Sequence, residues 1–105
     1  MIVKKKDAQI REFLGVKFEL LAIGEKSMVT KMLYKKHNNV PYHEHPHEQS
    51  GYVISGKYRL QFGSYDEILE KGDTYSIPGN TQHTLEILEE GEVIDFFNPP
   101  REDYL

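Results

Sequence analysis

Three of the five histidines of this chain lie within five residues, in a segment 41–49 that reads PYHEHPHEQ. In an extended strand His43 and His45 point to the same side, because side-chain direction repeats every second residue. Two imidazoles on one face can chelate a divalent cation, and Gln49 keeps the same phase if Pro46 does not interrupt the strand. The segment therefore predicts a metal site, and the alternative interpretation is a solvated polar loop.

A second candidate for chemistry is the carboxyl group of Asp95, in the segment 93–97 that reads VIDFF. Both faces of this predicted strand are largely apolar, so the carboxyl group has no polar side to occupy. Burial raises the pKa of a carboxyl group and a nearby metal lowers it, and such opposed effects suit a general acid or base. The alternative is a structural acid that bonds a neighbouring strand or a metal-bound histidine.

The elements that must position these side chains are short strands separated by turns. A strand is expected at 16–23 and another at 28–35, and a short N-terminal helical turn at 7–14. Two tight hairpins are expected, one joining 51–54 to 57–62 through Ser55-Gly56 and one joining 83–88 to 92–97 through Glu90-Gly91. Many short strands with frequent turns predict an all-β fold, an antiparallel sandwich or small barrel.

Composition restricts the class of protein. The 105 residues suit a single domain 1–105, and the absence of cysteine excludes disulfides and thiolate zinc sites. The net charge of −4 and the lack of an arginine-rich stretch argue against a nucleic-acid partner. No apolar run or signal-peptide pattern is present, so we expect no membrane partner and a cytoplasmic location.

The spacing of these residues resembles the two sequence motifs of the cupins, small antiparallel jelly-roll barrels that hold one metal and usually form homodimers. The first motif corresponds to His43-x-His45-x-x-x-Gln49-(six residues)-Gly56. The second corresponds to Gly72-(five residues)-Pro78-x-Asn80-x-x-His83. Both motifs lie within 40–88. The sequence departs from the family pattern at Asn80, where glycine is usual, and at Ile87, where asparagine is usual.

The resemblance implies that one divalent transition metal is held by His43, His45, Gln49 and His83. His47 and Glu48 remain possible substitutes, because the proline between them and His45 makes the local register uncertain. Imidazole is a ligand for Zn, Ni, Cu, Fe and Mn, so the ligand types do not identify the metal. Four neutral ligands leave the charge of the ion uncancelled, which favours an anionic substrate.

The C-terminal segment FNPPREDYL, residues 97–105, resembles the small pectin-degradation cupins. Those proteins convert 4,5-unsaturated monouronates, products of pectin and alginate breakdown, into linear keto sugars. The resemblance implies that Asp95 and Arg101 are catalytic, that Phe97 and Arg101 bind substrate, and that the tail 98–105 lies near the barrel mouth. Arg101 would hold the sugar carboxylate with a bidentate fork, Asp95 would move a proton, and Phe97 would form an apolar wall.

Other interpretations remain open from the residues. Without the resemblance, Arg101 is expected to be a solvated terminal charge beside Glu102 and Asp103. The chain would then suit a non-catalytic or sensory cupin that binds a small sugar acid. A metal-dependent dioxygenase is a third hypothesis, and Gln49 weakens it because the usual two-histidine, one-carboxylate iron triad is missing.

Overall fold

The computed structural model describes all 105 residues, as ten β-strands and two single 3-10 turns, Lys5–Asp7 and Glu102–Tyr104. The strands are β1 Gln9–Phe13, β2 Val16–Ile23, β3 Met28–Tyr34, β4 Val40–His43, β5 Glu48–Val53, β6 Lys57–Phe62, β7 Tyr65–Leu69, β8 Thr74–Ile77, β9 His83–Glu89 and β10 Gly91–Asn98. The all-β prediction is confirmed, and no helix is long or apolar enough to cross a membrane.

The strands form two antiparallel sheets. One has six strands in the order β1-β2-β3-β10-β5-β8, and the other has four in the order β4-β9-β6-β7. Side chains of a strand point alternately to its two faces, and in β2 and β3 every second side chain is buried. These buried side chains face the second sheet. The apolar core therefore forms between the sheets, with Phe18 and Tyr58 fully buried.

Register across the six-stranded sheet aligns the inward side chains in rows. One row runs through Leu20, Thr30, Asp95, Gly51 and Tyr75. The next row runs through Met28, Phe97, Gln49 and Ile77. Because members of a row are direct cross-strand neighbours, residues far apart in the chain are brought into contact on one surface.

The predicted strand 16–23 is confirmed without change, and the strand predicted at 28–35 ends one residue earlier, at Tyr34. The predicted short N-terminal helical turn is confirmed, but it is the 3-10 turn Lys5–Asp7 and not 7–14, because 9–13 form β1 and pair with β2 through a tight turn at Leu14-Gly15. So short a helix is marginal in water, whereas the strand gains a ladder of hydrogen bonds along β2.

Both predicted hairpins are wrong. β5 pairs with β10 and β8, whereas β6 pairs with β9 and β7 in the other sheet. β9 and β10 likewise belong to different sheets. The turns at 54–56 and 90–91 are therefore corners at which the chain crosses from one sheet to the other.

The two corners pack directly on each other. The backbone N–H groups of Ile54 and Ser55 donate to the carbonyl of Glu92, at 2.9 and 3.1 Å, and the Glu92 N–H donates to the Ser55 hydroxyl at 3.0 Å. A Cβ added at Gly91 would overlap the Ser55 carbonyl group. At Gly56, where φ is +91°, a Cβ would lie 2.8 Å from the Glu89 carbonyl oxygen. Glycine is therefore needed on both sides of this backbone contact.

Replacing Gly91 with alanine should destabilise the fold. The new Cβ meets backbone atoms of Ser55, which cannot rotate away, so we expect the free energy of unfolding to fall by at least about 2 kcal/mol. Urea unfolding measures the change. Gly24→Ala is the matched control, because its nearest neighbour would be the Ser27 hydroxyl at 3.6 Å, and it should be neutral or slightly stabilising. Equal stabilities of the two variants would contradict the corner packing.

Candidate functional site

Two histidines of the site come from adjacent strands of the four-stranded sheet. His43 on β4 and His83 on β9 are direct register partners, and their ring centroids lie 4.2 Å apart. Together with His45 they form a group whose potential ligand atoms all lie within 4.8 Å of one another. The structure thus brings together three of the four expected metal ligands from two separate sequence motifs.

His45 joins this group although the strand expected to orient it has already ended at His43. The loop of the second motif holds it instead, because the Asn80 N–H donates to the His45 carbonyl at 2.7 Å. Asn80 has a φ of +59°, which asparagine tolerates better than most residues, so its departure from the usual glycine is accommodated. Gly79 allows the close approach, since a Cβ there would overlap the Pro46 carbonyl oxygen.

The backbone fixes the tautomer of all three imidazoles. Each Nδ1 lies within hydrogen-bond distance of a carbonyl oxygen two residues away, which belongs to Pro41 for His43 (2.9 Å), His47 for His45 (3.0 Å) and Thr81 for His83 (2.9 Å). A carbonyl oxygen only accepts, so Nδ1 carries the proton and Nε2 presents a bare lone pair. This is the arrangement that metal-ligating histidines usually have.

Burial keeps these imidazoles uncharged. Loss of solvation lowers the pKa of His43, and it lowers the pKa of His45 and of His83 to about 4. The positive charge of Arg101 contributes a smaller effect in the same direction for all three. At neutral pH the group therefore consists of neutral imidazoles, which is the form that binds metals.

Two contacts indicate that a cation belongs among these rings. The Oε1 atom of Gln49 lies 3.1 Å from the Nε2 of His45, so two atoms that carry lone pairs face each other with no proton between them. The Nε2 of His83 is buried and has no hydrogen-bond partner. A divalent cation would satisfy both, and a set of imidazoles with one amide oxygen suits a transition metal.

His47 and Glu48 lie outside the group. Glu48 is exposed on β5, and His47 is not among the histidines whose ligand atoms converge. The Nδ1 of His47 is nevertheless buried without a partner, beside the tail residues whose charges affect its pKa. The structure therefore offers neither residue as a substitute ligand.

Asp95 lies on β10 and faces the same interior space, with 1% of its surface exposed. The hydroxyl of Tyr75 donates to its Oδ1 atom. Burial raises the pKa of Asp95 to about 6, although Tyr75, Gln49 and Arg101 each act to lower it. The carboxyl group expected to be desolvated is therefore desolvated, and its neighbours are the amide of Gln49 and a phenol that sequence analysis had not singled out.

Arg101 is buried rather than solvated, with 3% of its surface exposed. Its Nη2 and Nε atoms donate to the two carboxylate oxygens of Asp103, at 2.7 and 3.1 Å, and its Nη1 donates to the Tyr104 hydroxyl at 3.1 Å. The guanidinium carbon lies 4.1 to 5.2 Å from the ring centroids of Tyr104, Phe13 and Phe97. The tail thus folds back so that its cation enters an aromatic cage.

These groups line one cavity of about 30 Å³, which is enough space for a water molecule. The residues with polar or ionisable side chains that line it are His43, His83, Gln49, Asp95, Arg101, Tyr34, Tyr75 and Tyr104. Phe97, expected to form a wall against the sugar, lies instead behind His45 and beneath Arg101. The three tyrosines were not assigned from sequence, because only the register shows which of the seven face inward.

Comparison with known proteins identifies the family of this chain. The family model described as the cupin domain matches residues 30–97, a range that contains both histidine motifs and Asp95. The chain belongs to the cupin family. This cupin is 32% identical to the pectin degradation protein KdgF of Dickeya dadantii (strain 3937), over 93 residues that cover 87% of this chain and 84% of that protein.

Two solved structures match nearly the whole cupin. An RmlC-like cupin from Shewanella frigidimarina NCIMB 400 superposes with a TM-score of 0.90 at 26% identity, covering 99% of this chain and 95% of that chain. KdgF from Halomonas sp. superposes with a TM-score of 0.89 at 25% identity, over the full length of both chains. Both alignments include the C-terminal tail, which lies beyond the residues of the family match.

The metal content of two histidine variants tests which histidines bind the ion. His83→Ala removes a buried Nε2 from the group, so we expect the purified variant to lose most of its bound divalent metal, by roughly tenfold or more in affinity. His47→Ala should retain the wild-type content, because His47 lies outside the group. Elemental analysis after dialysis measures both. Loss of metal in the His47 variant alone would show that the ligand set is wrong.

Proposed function

We propose that this cupin is an enzyme that opens the ring of a 4,5-unsaturated monouronate and converts it to the linear keto sugar. The observation that carries the proposal is one cavity lined by a buried carboxyl group, a buried guanidinium and two of the three converging imidazoles, those of His43 and His83. The similarity to two proteins named KdgF, one of them described as a pectin degradation protein, supports this choice of substrate class.

The metal would be held by His43, His45, His83 and the Gln49 amide oxygen. A bound divalent ion supplies Lewis acidity that polarises oxygen atoms of the sugar. Because all four ligands are neutral, the full positive charge of the ion is available to an anionic substrate. Arg101 adds a second positive charge at the same cavity, and together they favour a sugar that carries a carboxylate.

Asp95 would carry the proton transfers, which balance as an isomerisation. It removes the proton of the anomeric hydroxyl, the C1 carbonyl forms, and the bond between C1 and the ring oxygen breaks. The electrons of that bond leave an enolate on the former ring oxygen at C5. Delivery of the proton to C4 then gives the ketone, so nothing is gained or lost overall. The raised pKa of Asp95 suits a group that must both accept and return a proton near neutral pH.

The small volume of the cavity leads us to expect that the tail moves when a sugar enters. A volume of about 30 Å³ is far below the 300 Å³ or more of usual ligand sites. Arg101 and Tyr104 close one side of it, and the fork of Arg101 already holds Asp103. Substrate would therefore displace the Asp103 carboxylate from Arg101 as it binds.

The decisive experiment supplies metal-loaded protein with an unsaturated galacturonate monomer. We expect the ultraviolet absorbance of the conjugated double bond to fall faster than in a control without protein, and a chelator to stop the acceleration. No acceleration by protein with a full complement of metal would refute the enzyme. In that case thermal stabilisation by the same sugar acid would favour the non-catalytic binding cupin. Oxygen uptake by iron-loaded protein would favour the dioxygenase.

Asp95→Asn tests the proton carrier. The amide has nearly the shape of the carboxyl group but cannot cycle a proton, so turnover should fall by a factor of about 100 or more. Metal content should stay at the wild-type level, because Asp95 is outside the group of converging ligands. Initial rates by ultraviolet absorbance, with elemental analysis of the same samples, give both values. Wild-type turnover in this variant would exclude Asp95 from the reaction.

Asp103→Asn tests the competition for Arg101. An uncharged amide binds the guanidinium less strongly than a carboxylate does, so the substrate carboxylate should meet less competition. We expect KM to fall by a factor of about 3 to 10 with little change in kcat, since the lost contact is an ion pair whose carboxylate is half exposed. Glu102→Gln removes a neighbouring charge that makes no contact with Arg101 and serves as the control. A higher KM in the Asp103 variant would mean that Asp103 orients Arg101 for substrate.

The expected homodimer also stays a proposal. Ile94, Phe96 and Tyr52 lie together on the outer face of the six-stranded sheet, and the two aromatic residues are about half exposed. A second copy could cover this face. Light scattering of the purified protein determines the oligomeric state.

A further inference from the structure

The side chain of Tyr75 crosses a neighbouring strand to reach Asp95. Asp95 on β10, Gly51 on β5 and Tyr75 on β8 are successive register partners in one inward row. The ring of Tyr75 lies over Gly51, and its hydroxyl donates to the Oδ1 atom of Asp95. A Cβ added at Gly51 would overlap the Cζ and hydroxyl oxygen of this ring. The contact therefore exists only because the middle position of the row has no side chain.

Glycine inside a strand is unfavourable, because it adds backbone entropy to the unfolded chain and contributes no packing. Gly51 lies in the middle of β5 with a φ outside the left-handed region, so its backbone conformation does not require glycine. The requirement comes instead from the space that the Tyr75 ring occupies. This links the presence of Gly51 directly to the hydrogen bond between Tyr75 and Asp95.

The hydroxyl groups of two other buried tyrosines have different partners. The hydroxyl of Tyr58 donates to the backbone carbonyl of Ser55 at 2.9 Å, which supports a corner between the sheets. The hydroxyl of Tyr104 accepts from Arg101. The hydroxyl of Tyr75 instead donates to the carboxyl group of Asp95, which faces the converging histidines. Tyr75 lies on β8, the edge strand of the six-stranded sheet.

We propose that Tyr75 is a positioning residue, which fixes the orientation of the Asp95 carboxyl group through Oδ1 and so directs the other oxygen, Oδ2, to the substrate. Gly51 is the structural condition for this contact. The inference rests on the proposed function for its catalytic consequence, since Asp95 is the proton carrier there. Tyr75 itself needs no contact with the sugar and transfers no proton.

Tyr75→Phe tests the proposal with minimal disturbance, because it removes one oxygen atom and keeps the ring. We expect kcat to fall roughly ten- to a hundredfold, the usual value of a hydrogen bond to a charged group expressed as a rate. KM and metal content should be unchanged, since neither Arg101 nor the histidines lose a contact. The matched control is Tyr58→Phe, which also removes a buried phenol hydrogen bond and should leave kcat unchanged. A wild-type kcat in the Tyr75 variant, or an equal loss of kcat in both, would overturn the proposal.

Gly51→Ala gives a second test from the other partner. The new methyl group displaces the Tyr75 ring, so the variant should show the same separation of kcat from KM as Tyr75→Phe. A folded Gly51 variant with wild-type kcat would overturn the role of the glycine. If this variant does not fold, Tyr75→Phe decides the matter, because its ring still fills the same space.

Proton NMR tests the contact without any turnover. A tyrosine hydroxyl held by a buried carboxyl group exchanges slowly with water, and its resonance should vanish in Tyr75→Phe, shift in Asp95→Asn and persist in Tyr58→Phe. A hydroxyl resonance of Tyr75 that does not respond to Asp95→Asn would overturn the contact. If the contact is found while the protein shows no activity towards the uronate, the positioning stands and the proposed function fails.

Discussion

Hydrogen bonds from three histidine Nδ1 atoms to backbone carbonyls are the interactions on which the site depends. They satisfy one nitrogen of each ring and leave the other without a proton, in an interior where an unpaired polar atom is costly. The buried Nε2 of His83 shows this cost most directly, because it has no partner at all. A bound cation would remove the penalty, so the fold and its metal should stabilise each other.

The two sheets supply different parts of the chemistry. The four-stranded sheet carries His43 and His83, and the six-stranded sheet carries Gln49, Asp95 and Tyr75. The sheets are joined by the corners at which the chain changes sheet, where backbone packs closely on backbone at Gly56 and Gly91. A site divided in this way needs both sheets, because neither sheet alone carries all the expected metal ligands together with the acid.

Local spacing predicted several of the strands and the pair His43 and His45, and the polarity of a single strand predicted the desolvated Asp95. His83 was added to the group only by the resemblance to the cupin motifs. The sequence could not predict strand partners, since a Ser-Gly turn suits a hairpin and a corner equally well. Nor could it place Arg101, which is buried by rings from β1, β10 and the tail that come together only in the fold. The contact from Tyr75 across Gly51 likewise depends on the register of three strands.

The burial of Arg101 determines how the cavity can open. The side chain of Asp103 is half exposed, so it can move into water without leaving a buried charge, whereas that of Arg101 is 4% exposed and has no such freedom. If Asp103 left alone, the guanidinium would lose its counter-ion in a poorly solvated place, which is unfavourable. An incoming carboxylate removes that cost by exchanging one anion for another. In the proposed function, therefore, an anionic sugar could take the place of Asp103 at Arg101, whereas a neutral sugar of the same shape could not replace the counter-ion.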